Sequence, residues 1–216
     1  MKKLSKLFSL LLALAMVFAL ASCGSGSNAS TPSDSNTSTG SGADTSGGES
    51  YTVGICQLTQ HEALDAATQG FKDALTEKLG DAVKFNEQNA SGDSANCSTI
   101  IDGFLSDGVD LILANATAPL QAAAAATSEV PVLGTSVTDY ATALEIDDWT
   151  GTVGNNISGT SDLAPLDQQA AMLNEMFPDA KNVGLLYCSG EPNSVYQCTV
   201  IEGYLKEYGY NVEWYA

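Results

Sequence analysis

The polar residues that could do chemistry sit in short loops, each directly after an apolar run. Gln57 and His61 fall in the loop at 57–61, behind Val53 and Ile55. Ala116 and Thr117 follow DLILA at 110–114, and Thr135, Ser136 and Asp139 follow the short run at 131–134. Asp162 comes after a glycine-rich stretch, and Asn193 and Ser194 come after NVGLLYC at 182–188. A histidine near a helix start can donate to a ligand carboxylate or cap its own helix, and HEALD lacks the second histidine of a zinc helix. Hydroxyls and backbone N–H groups at 116–117 and 135–139 suit a carboxylate held at a helix N-terminus. The same residue types also build ordinary caps and turns. Asp162 can neutralise an ammonium group or act as an N-cap. Tyr140, Tyr187 and Tyr196 can stack on an aromatic ligand or fill core and rim.

Catalytic constellations are missing. There is no G-x-S-x-G, no P-loop, no H-E-x-x-H and no strand-linked G-x-G-x-x-G, so no residue is assigned a catalytic role. Cys56, Cys97, Cys188 and Cys198 include no C-x-x-C spacing, which argues against a metal site, and no cofactor is implied. Outside the cytoplasm disulfides are permitted, and all three pairings of these four are open. A Cys56 to Cys188 bond would lock two strand ends together, whereas Cys188 to Cys198 is local in sequence. Free buried thiols are the reading adopted.

The charge balance narrows the partners. All eight basic residues are lysines, against 26 acidic residues, for a formal charge of −18. A nucleic-acid surface needs clustered cations to displace phosphate counterions, and this chain has none. The acidity reads as solubility for an exported protein. Without arginine there can be no bidentate clamp on a carboxylate or phosphate. An anionic group must be met by backbone N–H groups, hydroxyls or a lysine.

Strands and helices must hold these loops in place. The stretch 51–79 reads as strand, polar loop and amphipathic helix, with Ala63, Leu64, Ala67, Phe71, Leu75 and Leu79 on one helical face. Residues 82–90 predict a strand nearer the sheet edge, and 94–106 a helix behind the turn at 91–93. DLILA predicts a strand buried on both faces. Thr117 is placed as N-cap of the next helix, with Pro119 in its first turn. A short strand at 131–134 then ends in a polar loop at 135–139. The order βαβαβαβ implies a parallel sheet with right-handed crossovers. Ligands of such sheets sit outside the carboxyl ends of the strands, where these loops lie.

Residues 148–160 lose periodicity and are read as the crossing from a first lobe (51–147) to a second (161–216). A helix at 163–177, opened by Ser161 and Asp162, a strand at 182–188, a helix at 195–208 and a strand from Val212 follow. The second lobe echoes the first: Val53-Gly54-Ile55 matches Val183-Gly184-Leu185, Gly70-Phe71 matches Gly203-Tyr204, and Val83-Lys84-Phe85 matches Val212-Glu213-Trp214. Echoes in register predict two like-folded lobes with facing cleft loops.

Residues 1–22 carry three lysines, an apolar run and then small residues, the pattern of a secretory signal peptide. Leu20-Ala21-Ser22-Cys23 resembles the bacterial lipobox. That resemblance implies cleavage before Cys23 and attachment of fatty acyl chains such as palmitate to it. Paired chains give durable membrane anchoring. Residues 23–50 supply the lipidated cysteine and a Gly/Ser/Thr-rich tether that cannot bury enough apolar surface to fold. Such a coil reaches roughly 30 Å.

VGICQLTQHEALDAATQGF, DLILANATAPLQAAAAAT, VPVLGTSVTD, GTSDLAPLDQQ and EPNSV together resemble bacterial ABC-transporter substrate-binding lipoproteins. The subgroup resembled includes tryptophan- and aromatic-amino-acid-binding members. The resemblance covers 51–216 and implies a type I periplasmic-binding-protein fold, with two doubly wound α/β lobes closing on a small amino-acid-like solute. It also implies delivery to the membrane permease subunits of an importer and a location outside the cytoplasm. Asn193-Ser194 matches the family's pair at a cleft-facing helix. Family members continue through further βα units, so the second lobe is expected to be incomplete here. The alternatives are a sensing lobe for a membrane receptor and an extracytoplasmic hydrolase.

Overall fold

Tyr51–Gln57 forms strand β1, flanked in parallel by Val83–Asn89 (β2) on one side and Leu111–Asn115 (β3) on the other. The computed structural model describes residues 50–216. It continues this sheet with Val132–Val137 (β4) and Ile157–Ser161 (β5), giving the all-parallel order β2-β1-β3-β4-β5. A second parallel sheet holds Asn182–Leu186 (β6) and Asn211–Tyr215 (β7). The helices are Glu62–Leu79 (α1), Ser94–Asp107 (α2), Thr117–Ala126 (α3), the single turn Tyr140–Ala143 (α4), Leu166–Met176 (α5) and Pro192–Glu207 (α6). The signal peptide, Cys23 and the tether lie outside the described residues. Among the described residues no helix is long and apolar enough to cross a membrane.

The apolar stripe of α1 sets Phe71 and Leu75 against Val53, Ile55, Val83 and Leu113 on one face of the first sheet. Ile101 and Phe104 of α2, with Leu120 and Ala123 of α3, cover Cys56, Ile112, Ala114 and Val132 on the other. A continuous apolar strand such as β3 is stable only when buried on both sides, and it is. Helix α2 comes very close to β1: a Cβ on Gly54 would stand 2.6 Å from the Phe104 ring, so that position needs glycine. The second lobe repeats the arrangement on a smaller scale, with Ala170, Leu205 and Tyr210 buried against Val183, Leu185 and Val212.

Several boundaries differ from expectation for physical reasons. Ile157–Ser161, inside the stretch read as the crossing, is a fifth strand of the first sheet, pairing with β4 from Val132↔Ile157 onward. The chain therefore leaves the first sheet after Ser161. Strand β4 runs on through Thr135, Ser136 and Val137, with an irregular register after Gly134 and Ser136 at φ 54°. Ala116, not Thr117, occupies the N-cap of α3. Helix α5 starts at Leu166 with Pro165 at its N-cap, so Asp162 caps nothing there. Helix α6 opens at Pro192, whose missing N–H costs nothing in a first turn. The two lobes share the β-α-β unit but pair it differently: Val83 faces Tyr51 in the first, while Val212 faces Val183 in the second.

Candidate functional site: a cleft between the lobes

The order in which strands are added to the first sheet reverses between β1 and β3, since β2 was laid on one side and β3 on the other. The loops leaving those two strands diverge there and leave a crevice, the usual ligand position in open α/β sheets. A hollow of about 520 Å³ occupies that place, within the size range of small-molecule sites. From the first lobe it is lined by Leu58, Thr59, His61, Ala63, Leu64, Ser94, Ala116, Thr117, Ala118, Gln121, Ser136 and Thr138, and Asp162 lines it where the chain leaves the first sheet. From the second come Gly190, Glu191, Pro192, Asn193 and Gln197, at the start of α6. A larger hollow of about 710 Å³, lined by Gln57, Asp65, Glu87 and Asn89 among others, lies wholly on the β1–β2 side of the first lobe. It draws nothing from the second sheet.

His61 is the N-cap of α1, extended at φ −158° and ψ 138°, and its Nδ1 accepts the Ala63 N–H at 3.2 Å. The neutral ring then carries its proton on Nε2, the atom left to donate. Ala116 is the most constrained residue of the cleft. At φ 106° and ψ 171° it occupies a region that is nearly exclusive to glycine and costs about 1–3 kcal/mol. Its N–H donates to the Thr135 carbonyl at 3.0 Å, which fixes the turn against β4. No side chain caps α3, and the first-turn N–H groups of a helix have no partner within it. The Thr117 and Ala118 amides therefore face the cleft with the positive end of the helix dipole behind them.

Asp162 is held from below, its N–H donating to the Val137 carbonyl at 3.1 Å while the side chain stays exposed. Burial, with the Asp162 charge nearby, pushes the Tyr140 hydroxyl up to about 12, while that hydroxyl donates to the Thr160 carbonyl at 3.3 Å. Asp162 and Glu191 are the acids lining the cleft, and no lysine lines it. Among the described residues no three His, Cys, Asp or Glu side chains gather as a metal site.

Of the residues singled out in the sequence, His61, Ala116, Thr117, Ser136, Asp162 and Asn193 meet in this cleft. The remainder lie elsewhere. Gln57 is buried behind the wall, where its amide donates to Asp65 (2.6 Å) and the Thr59 carbonyl (2.8 Å) and its oxygen accepts from Thr68 (2.7 Å). Asn115 joins this network, donating to the Leu64 carbonyl at 2.8 Å and to Thr68 at 2.9 Å. Together these bonds tie the start of α1 to the ends of β1 and β3, so Gln57 positions the wall. Thr135 faces a different hollow beside Phe71 and Leu133. Asp139 caps α4 through the Thr142 N–H at 2.7 Å, and Ser194 accepts the Cys188 N–H at 3.0 Å. Tyr140 is buried, Tyr187 stacks edge-on against Trp214 at 4.9 Å, and Tyr196 lines a hollow beside α5. Gln121 and Gln197 were missed. Each lies one helical turn beyond a residue that was named, Thr117 and Asn193, and that spacing could have found them.

Two parallel-sheet lobes with a cleft between facing strand ends define a type I periplasmic-binding-protein fold. The chain belongs to the ABC transporter substrate binding protein family, whose model matches residues 52–216. It is 36% identical over 171 residues to a tyrosine-binding protein of Clostridioides difficile (strain R20291), covering 78% of this chain and 49% of that one. The crystal structure of an ABC domain in complex with L-Trp from Streptococcus pneumonia superposes with a TM-score of 0.72 at 32% identity, over 78% of this chain and 57% of that one. A ligand-free, open substrate-binding protein with adhesive properties from Clostridium difficile gives 0.60 at 35% identity, over 76% and 57%. The chain thus spans about half the length of the curated relative it matches.

Proposed function

We propose that this chain captures a small zwitterionic amino acid, with an aromatic side chain as the preferred class, in the cleft between its lobes. The observation that carries the reading is the cleft's chemistry: uncapped amides at the start of α3 on one side and Asp162 with Glu191 as its only lining charges. The amides suit an α-carboxylate in a protein without arginine. The acids suit an α-ammonium, and His61 Nε2 is the further donor. Relatives named for tyrosine binding and crystallised with L-Trp support the aromatic preference. Lobe closure on the solute would then present a distinct state to the permease subunits of an importer. The protein is exported, and acylated Cys23 anchors it to the outer face of the bacterial cell membrane.

A thermal-shift panel of amino acids, purines and sugars tests the binding. Tyrosine or tryptophan should raise the unfolding midpoint, with the increase lost in Asp162→Asn. A folded sample that responds to no amino acid would sink the reading. Anchoring is tested separately by incorporation of a labelled palmitate analogue, which should vanish in Cys23→Ala.

A further inference from the structure

Gln121 is half-buried in the second turn of α3 and lines the hollow between the lobes. Its Nε2 donates at 2.9 Å to the carbonyl of Ala143, the last residue of α4. A carboxamide carries its donors on one atom and its acceptor on the other, so this bond fixes which end faces where. Oε1 receives no hydrogen bond from the described residues. Among those residues the one enclosed side-chain atom without a partner is Oδ1 of Asn115, so the Gln121 oxygen is open to solvent. Leu58, Ala63, Leu64 and Ala118 give the same wall apolar surface for a ring. Gln197 lines the hollow from α6, with its Nε2 on the Asn193 carbonyl at 3.4 Å. That bond is past the usual N–H···O range and holds its amide less firmly.

We propose that Gln121 selects the solute by its side chain, with Oε1 accepting a hydrogen bond from a ring-borne donor, a phenol O–H or an indole N–H. This rests on the proposed capture of an aromatic amino acid in the same cleft. The α-carboxylate at the Thr117 and Ala118 amides fixes one end of the solute. Gln121 stands four residues on, about 6 Å along the helix axis. Helical side chains lean toward the N-terminus, which carries the Gln121 amide back toward the solute. A carboxylate is the stronger acceptor for an ammonium group, so Asp162 and Glu191 take that end. The donor on the ring is then left for Gln121. The bond to Ala143 makes the choice one-sided, because turning the amide to present a donor breaks it. A ring without a donor leaves Oε1 unpaired once the closed lobes exclude water, and a polar group left unpaired in this way discriminates strongly against the analogue.

Calorimetric titration of the full chain tests this. Whichever of tyrosine and tryptophan binds tighter is compared with its counterpart lacking the donor, phenylalanine or 3-benzothienylalanine. The donor-bearing member should bind roughly 10-fold tighter. Gln121→Met keeps side-chain length and helix propensity while removing the amide. It should weaken the donor-bearing solute by about that factor and leave its counterpart within about twofold, so that the preference disappears. A residue that only braced α3 against α4 would weaken both alike, so the ratio of the two affinities separates contact from bracing. Equal or tighter binding of the counterpart by the parent chain overturns the proposal without any variant. A preference that survives Gln121→Met overturns it as well. Both outcomes leave capture of aromatic amino acids standing, whereas a folded sample that binds no amino acid removes that reading and this proposal together.

Discussion

The two lobes start from the same β-α-β unit and reach different states of burial. Around β1, α1 and β2 the chain adds three strands and two full helices, so both sheet faces are covered and Ile55, Ile101, Ile112 and Leu120 are inaccessible. Around β6, α6 and β7 it adds α5, and Leu186 is 83% exposed, Met176 63% and Phe177 57%. The paired strands are patterned in both regions: β1 is buried from Val53 to Gln57, and β6 and β7 alternate between exposed and half-buried residues. Sheet width separates them, because a strand pair has too little surface to enclose side chains on both faces. The proposed cleft thus takes its well-buried wall from the first lobe and its opposite wall from a sheet of two strands.

The strongest way to break that comparison is to cut a large buried side chain from each core. Phe104→Ala removes a ring packed on Gly54 and should cost about 3–5 kcal/mol in a denaturant titration. Leu205→Ala, in the smaller cluster, should fall near the low end of the range for such truncations, about 2 kcal/mol, since its half-exposed neighbours can relax into the space. Equal costs would show that burial in the second lobe is as effective as in the first.

A second test uses alkali. Tyr140 packs over Gly134 and Gly159 in the first lobe, and its folded value is raised to about 12 from 10. A raised value means that the folded chain holds the proton more tightly than the unfolded one. The stabilisation is therefore whole below pH 10 and is lost as pH rises from about 10 to 12, amounting to about 2 kcal/mol. Tyr140→Phe should flatten that part of the stability profile relative to the parent chain. A profile with the same slope in both would remove Tyr140 as the cause.

Much of this arrangement was legible in the residues, and the failures share a cause. Strands β1 and β3 and helices α1 and α2 announce themselves through their own side chains. Strand β5, ISGTS, does not, because what holds it is backbone pairing to β4 and the close approach of Gly159 to Gly134 under Tyr140. Gln57 was read as a ligand contact because its loop position is right. Its true partners, Thr68 and Asn115, lie 11 and 58 residues away and leave no local mark. The N-cap of α3 was shifted by one because a threonine is a better cap than an alanine, and the structure places the poorer residue there under strain.

That strain gives the third test. Ala116→Gly should relieve the cost of φ 106° and add a smaller loss of unfolded-state entropy, for a net gain near 1 kcal/mol. If the strained turn preorganises the α3 amides, solute affinity should fall in the same variant. Higher stability with unchanged affinity would separate the strain from binding.

The smallest expected effect is the sharpest probe of the second lobe. Leu186 lies on the open face of β6, and Leu186→Ser removes apolar surface that the fold does not enclose. Substitutions at such positions change stability by less than about 0.5 kcal/mol. The unfolding midpoint should therefore stay put while light scattering at high concentration falls, because exposed apolar faces beside unpaired strand edges drive association. A loss well beyond 0.5 kcal/mol would mean that Leu186 is covered in solution by something outside residues 50–216 of a single chain, such as a second copy. The difference in burial between the lobes would then belong to the isolated chain and disappear in the assembly. A concentration-dependent midpoint in the parent, absent in Leu186→Ser, would be the signature of that case.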